Sequence, residues 1–325
     1  MKLNFIGAIR RAEIVVLRAA LSTGRFFKRI GRWVLVKIGP NWRKYLKFTV
    51  LALVVLYLIG GVAFGVRLYK QKRFETIDRF ASYIYPFPVA TVGRSVVLEH
   101  ELQQKVYWAY NFAEKTQSQI PENLPKQILD EIIKDRISMM EADRLDIKVT
   151  GEDISAIFGS VFEGVGGEEQ TEMYVREFYN MSLNQLKQEA VPKMALQKIR
   201  EKEFVKVKAR HILVKEEKRA NEALKKIKDG GKFEDVAKDY SEDQASKDNG
   251  GLLADGEFIY RDSGLASEIE VPLFGLAAEQ MSELVKSPLG FHILKVEEKA
   301  GTIDLYLDDW FKELQKKDYP ARILI

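Results

Sequence analysis

Phe204–Val214 reads FVKVKARHILV, and Phe291–Val296 reads FHILKV. Both runs mix alternating polarity with β-branched residues, which predicts two strands. Each carries a histidine followed by the same apolar pair: His211-Ile212-Leu213 and His292-Ile293-Leu294. With a period of two, Ala209, His211 and Leu213 share one face of the first strand. His292, Leu294 and Val296 share one face of the second. On adjacent strands of one sheet, the two imidazoles face each other across a few ångströms. Two other readings stand beside this one: satisfied core histidines, and a His/Asp/His metal site. No ligand-rich stretch accompanies the pair to favour the latter.

Around these strands, Asn221–Lys228 and Lys232–Tyr240 read as two helices separated by Gly230-Gly231, and Asn249-Gly250-Gly251 as a turn. Strands and helices mixed over so short a span predict a small α+β domain. Upstream, Val89–Leu98 reads as strand-turn-strand. Glu99–Glu203 is helical throughout, with four or five helices. Leu102, Val106, Ala109, Tyr110 and Ala113 form one stripe, and Leu124, Ile128, Ile132, Ile133, Ile137 and Met140 a second. Thr150 with Asp153, and Ser182 with Gln185, stand at capping-box spacing and mark two helix starts. Downstream, Thr302–Lys317 reads as a last helix with an apolar face of Leu305, Leu307, Trp310, Phe311 and Leu314.

The chain has 325 residues, 46% hydrophobic and 30% charged, and no cysteine. That leaves room for about two domains and is too apolar for a disordered chain. A disulfide framework, a Cys-based zinc site and a Cys nucleophile are excluded together. The net charge of +4 hides two unlike parts. Met1–Arg73 holds 16 Lys/Arg against one acid, Glu13, while Phe74–Ile325 holds 35 bases against 46 acids. Between the bulk of the basic head and the acidic body lies Phe48–Val66, an uncharged run that spans about 28 Å as a helix, close to the hydrocarbon thickness of a bilayer. Twelve bases precede it and four follow closely, so the positive-inside rule puts the N-terminus in the cytoplasm. An uncleaved signal anchor is the expectation, with residues 1–47 a basic cytoplasmic segment and 48–66 the transmembrane helix. Residues 67–88 read as a juxtamembrane linker whose aromatic residues suit the interface. The basic head suits anionic lipid; nucleic acid, the competing reading of the same charge, is the less economical partner beside a membrane.

Between Lys206 and Glu297 the landmarks are Ala209-Arg210-His211-Ile212-Leu213, Gly231-Lys232-Phe233, Ala237–Asp243, Gly250-Gly251, Phe274-Gly275-Leu276, Met281-Ser282 and Lys286–Ile293. In this order and spacing they resemble a parvulin-type peptidyl-prolyl cis-trans isomerase domain of the PpiC (rotamase) kind. The resemblance implies a small antiparallel sheet surrounded by helices over residues 204–298. It implies catalytic roles for His211, Asp243, His292 and Ser287, and a proline pocket lined by Leu253, Leu265, Ile269 and Leu289. It implies no metal and no cofactor. Three departures stand out: the family's Gly-Gly-Asp-Leu-Gly appears as Gly250-Gly251-Leu252-Leu253-Ala254, Asp255–Gly264 is longer than usual, and Leu289 stands where Phe or Ser is common. More loosely, residues 89–203 completed by the helix 302–317 resemble the all-α chaperone domain of SurA-like and PrsA-like foldases, leaving 299–325 as a C-terminal helix and tail.

The expected protein is therefore an α+β, membrane-anchored, extracytoplasmic isomerase and chaperone. Its partners are unfolded or partly folded exported proteins with X-Pro bonds, together with membrane lipid and no nucleic acid. The alternative is a non-catalytic holdase whose parvulin domain only binds peptides.

Overall fold

A computed structural model describes residues 42–71 and 76–324. The basic head up to residue 41, and with it most of the expected lipid-binding segment, lies outside the described residues. The chain divides into two units, Met1–Arg73 and Phe74–Ile325.

In the first unit, α1 (Trp42–Gln71) is a single 30-residue helix, longer at both ends than the uncharged run alone. Its apolar stretch, Leu46–Arg67, has 22 residues and leaves most of its side chains exposed. At 1.5 Å per residue it covers about 33 Å, enough to cross a bilayer. Among the described residues it is the one helix that long and apolar.

The second unit opens with a difference from the sequence reading. Residues 67–88 are not simply a linker: α2 (Thr76–Ile84) is a helix. Its nine residues hold no Gly or Pro, and Pro86 and Pro88 act only after it has ended. A hairpin follows, β1 (Pro88–Val92) and β2 (Ser95–Leu98), turning through Gly93 at φ +56°. Then come α3 (Glu99–Thr116), α4 (Leu124–Arg144), α5 (Gly151–Val165), α6 (Glu168–Tyr179) and α7 (Leu183–Glu203). The caps are as read: Thr150 accepts from Asp153 N–H, and Ser182 from Gln185 N–H.

The chain then passes through β3 (Lys206–Val214), α8 (Glu217–Lys228), α9 (Phe233–Tyr240), β4 (Ile259–Tyr260), α10 (Ser267–Gly275), β5 (Val285–Ser287) and β6 (Gly290–Ala300). The helix α8 starts four residues before the expected Asn221. The last elements are α11 (Leu307–Lys317) and β7 (Ala321–Ile323). Here the expectation of a helix from Thr302 fails for a physical reason. Thr302 and Ile303 donate their N–H groups to Glu203 O at 2.8 and 2.9 Å, and Val205 N–H donates to Ile303 O at 2.9 Å. Backbone committed to that pairing cannot coil. The tail is ordered too, because β7 fills the free side of β1 and completes a three-stranded sheet in the order β2-β1-β7.

Two cores result. The first joins the β1–β2 hairpin to α3, α4, α7 and α11 through Val97, Leu102, Ile137, Ile199 and Phe311, with Trp310 edge-on to Phe204 at 5.2 Å. The last helix thus completes the helical body. The second surrounds an antiparallel sheet in the order β4-β3-β6-β5. One sheet face, with Ile212, Val214 and Ile293, packs on α8 and α9 through Leu224, Phe233 and Val236. The other, with Val207, Ala209, Leu294 and Val296, packs on α10 through Ile269, Leu273 and Phe274. Each large apolar side chain fully buried there is worth roughly 1.5–3 kcal/mol.

Candidate active site

The site grows from the β3–β6 register. His211 pairs with Leu294 and Leu213 with His292, so all four side chains emerge on one face, the two histidines diagonal to each other. Their rings lie 5.7 Å apart between centroids at 28°, close to stacked. Both histidines are buried.

Each imidazole is held by a hydroxyl or an acid. His211 Nε2 lies 2.8 Å from Asp243 Oδ2 and 3.0 Å from Ser246 Oγ, and Ser246 Oγ donates to the same Asp243 Oδ2. Ala245 N–H donates to Asp243 Oδ1 at 3.3 Å. Burial alone would raise the Asp243 carboxyl, but hydrogen bonds from Ser246 and His211 outweigh it and hold it below the usual range. An ionised carboxylate only accepts. His211 therefore carries its proton on Nε2, and Ser246, its own proton committed to Asp243, accepts from the same N–H. On the other side, Ser287 Oγ lies 2.7 Å from His292 Nε2 and accepts from Leu289 N–H at 3.0 Å. His292 Nδ1 is buried without a hydrogen-bond partner. Burial, with the nearby His211 adding to it, pushes His292 down to about 4, so this ring is neutral at ordinary pH.

The segment carrying Asp243 is stitched to β3 on both sides. Glu242 N–H donates to Leu213 O at 2.7 Å, and Ser241 Oγ accepts from the N–H groups of Leu213 and Asp243 at 3.3 Å. Past Ser246 the chain returns along the strand: His211 N–H donates to Gly251 O at 2.7 Å and Leu253 N–H to Ala209 O at 3.0 Å. Gly251 has φ +80°, and a Cβ there would sit 2.2 Å from His211 O. Only glycine permits this approach, which in turn sets Leu253 alongside Ala209 of β3.

Leu253 and Leu265 pack against the cluster that contains Ile269. Leu289 does not join them. It is 69% exposed, in the turn between β5 and β6. Val285, which the sequence reading passed over, packs with the other three instead, and it pairs directly with His292. Ser246 was missed as well. The helix α10 is also clamped: Tyr306 Oη donates to Glu270, and Arg261 bonds Asp304 at 2.6 Å while lying 4.6 Å from the Phe274 ring. Among the described residues no group of three or more His, Cys, Asp or Glu side chains is arranged to hold a metal ion.

The altered glycine motif has a visible cost. Ala254, where the resemblance expects glycine, has φ +48°, and Asp255 follows at +51°. A left-handed non-glycine residue costs roughly 1–2 kcal/mol, against the roughly 0.5–1 kcal/mol of chain entropy that glycine gives up on folding. Ala254→Gly is expected to stabilise the isomerase-like region by about 0.5–1 kcal/mol, read as a higher urea midpoint with an unchanged slope.

Against known proteins, residues 194–300 match the PPIC-type PPIASE domain, which gives the class of this region of the chain. Foldase protein PrsA 3 of Bacillus anthracis is 32% identical over 234 residues, covering 68% of this chain and 70% of that protein. The chain belongs to the PrsA foldase family. Foldase protein PrsA of Caldanaerobacter subterraneus subsp. tengcongensis is 31% identical over 196 residues, covering 56% of this chain and 62% of that one. The chain spans about three fifths of the length of the first curated relatives it matches. The crystal structure of the peptidylprolyl isomerase PrsA from Bacillus anthracis is similar over 58% of this chain and 86% of its own, at 25% identity and a TM-score of 0.29.

Proposed function

We propose that this chain is a membrane-anchored, extracytoplasmic peptidyl-prolyl cis-trans isomerase and chaperone. On this reading α1 is a single-pass anchor with its N-terminus in the cytoplasm, an orientation the basic head supports through the positive-inside rule. Residues 89–203 with 302–317 are the chaperone part, and 204–298 the isomerase. Substrates are unfolded or partly folded exported polypeptides with X-Pro bonds. The observation that carries it is the His211–Asp243–Ser246 network stacked on a neutral His292 beside the apolar wall of Leu253, Leu265 and Ile269.

That arrangement suits the chemistry. Rotation about X-Pro breaks no covalent bond; its barrier of roughly 18–20 kcal/mol is amide resonance lost as the bond twists. The planar amide is charge-separated, and the twisted one is less so. An apolar wall that holds the pyrrolidine ring away from water favours the twisted form. His211, with its proton fixed on Nε2 by Asp243, and His292, steadied by Ser287, form a hydrogen-bond network of fixed orientation around the carbonyl and imide nitrogen. Differential binding of about 5.5 kcal/mol accelerates rotation 10⁴-fold. Asp243 acts electrostatically: both oxygens are already engaged and its charge is stabilised, which makes it a poor nucleophile.

The full chain in detergent, assayed on an X-Pro peptide, is expected to accelerate isomerisation, and His211→Ala to lose that acceleration while still suppressing aggregation of an unfolded client. Equal rates for the two proteins would overturn the isomerase assignment and leave the holdase.

A further inference from the structure

The helix α2 is built inside out. Its polar side chains Asp78 and Ser82, one turn apart, are buried, while Phe80 is 68%, Tyr83 58% and Ile84 43% exposed. These three occupy i, i+3 and i+4, one continuous apolar face. The face turned inward packs on α3. There Glu99 and Gln103 are buried as well, joined by a hydrogen bond of 2.7 Å, and Arg79 lies 3.7 Å from the ring of Tyr107. Tyr83 bonds Gln104 at 3.1 Å through its hydroxyl and still exposes its ring. In water a helix buries its apolar stripe and exposes its polar one. The reverse is stable only where the outer medium is itself apolar, or partly so.

The sequence places such a medium near. Only residues 72–75 separate α2 from α1, whose apolar stretch Leu46–Arg67 is long enough to cross a bilayer. Fully extended, the chain from Gln71 to Thr76 reaches no more than about 18 Å. The bases Arg67, Lys70, Lys72 and Arg73 stand just before α2, a composition that suits anionic headgroups. An aromatic and aliphatic face with neighbouring bases is the make-up of a helix lying in the headgroup layer.

We propose that α2 is an interfacial helix whose Phe80–Tyr83–Ile84 face docks on the lipid surface and holds the start of the extracytoplasmic unit at the membrane. This rests on α1 being a membrane anchor, and the test separates the two claims. The chain has no cysteine, so nitroxide labels on single introduced cysteines report one site each. Full chains carrying Leu56→Cys, Phe80→Cys or Lys218→Cys are reconstituted in phosphatidylcholine vesicles with one quarter phosphatidylglycerol. Relaxation by oxygen, enriched in lipid, is then compared with relaxation by a water-soluble nickel chelate. The Leu56 label is expected deep in the bilayer, the Lys218 label in water, and the Phe80 label at intermediate depth, with an oxygen-to-nickel ratio several-fold above that of Lys218. A Phe80 label as open to nickel as Lys218, with Leu56 still in lipid, overturns the docking and leaves the anchor. A Leu56 label in water overturns both. Protection from nickel without gain in oxygen, accompanied by dipolar broadening between labels, shows a second copy on this face and also overturns it.

Discussion

Asp243→Ala is expected to lower kcat/KM on a proline peptide by about 10²-fold, with KM nearly unchanged. The carboxylate makes a charge-assisted hydrogen bond to His211 Nε2–H and a second to Ser246. Removing a charged partner of this kind costs roughly 1.5–3 kcal/mol, and 2.7 kcal/mol is a hundredfold in rate. The mechanism is specific to the proton inventory. Without the carboxylate, the Ser246 hydroxyl is free to donate to His211 Nε2, and the ring proton moves to Nδ1. Both orientation and tautomer are then lost, while Leu253, Leu265 and Ile269 still bind the proline ring. Asp243→Asn retains an acceptor without the charge and is expected near a tenfold loss. A nucleophilic Asp243 predicts equal and complete loss in both variants. An Ala variant within threefold of wild type sinks the assignment altogether.

The parts of this site differ in how far the sequence discloses them. The two histidine strands are legible because period two is a backbone property, and the β3–β6 register converts shared faces into a stacked pair. Asp243 is legible only through resemblance, since nothing local distinguishes it from Glu242. Ser246 follows Asp243 by three residues in a polar stretch. It becomes informative only because the chain past α9 turns back and brings that spacing to His211 Nε2. Apolar character alone puts Leu289 with the pocket residues, whereas a residue at a hairpin turn points where the turn sends it, here into solvent. The strand β7 has three residues, too few for a pattern, and owes its order to the free side of β1. The helix α2 is hidden for the opposite reason. Its pattern is clear, but nearby prolines and the anchor draw the reading toward a linker.

Stability is expected to respond to pH with opposite signs in the two cores, and the effect is large. His292 titrates near 4 when folded against 6.5 when free. Its folded pKa is depressed, so the unfolded chain binds the proton first as pH falls. The contribution is complete above pH 6.5 and is lost as pH falls toward 4, at about 1.4 kcal/mol per pH unit. Glu99 goes the other way. Burial raises its carboxyl to about 7 from 4.5, with the Gln103 hydrogen bond opposing and the Asp78 charge assisting. That contribution is complete below pH 4.5 and is lost as pH rises toward 7. Between pH 7.5 and 5.0 the isomerase core is thus expected to lose about 2 kcal/mol while the helical body gains about 2.5 kcal/mol. The chain allows the two to be read apart. Its described tryptophans in the second unit, Trp108 and Trp310, both lie in the helical body, and residues 204–300 contain none. Urea unfolding of the full chain in detergent, followed by tryptophan fluorescence, should shift to higher midpoint at pH 5.0, and Glu99→Gln should abolish that shift. Circular dichroism should resolve the isomerase transition moving to lower midpoint, a movement removed by His292→Phe. A shift of the same sign in both signals, insensitive to either substitution, contradicts the assignment of the two buried groups. The opposition also has a consequence for the intact chain: acidification loosens the sheet that carries the histidine pair while tightening the seam between α2 and α3.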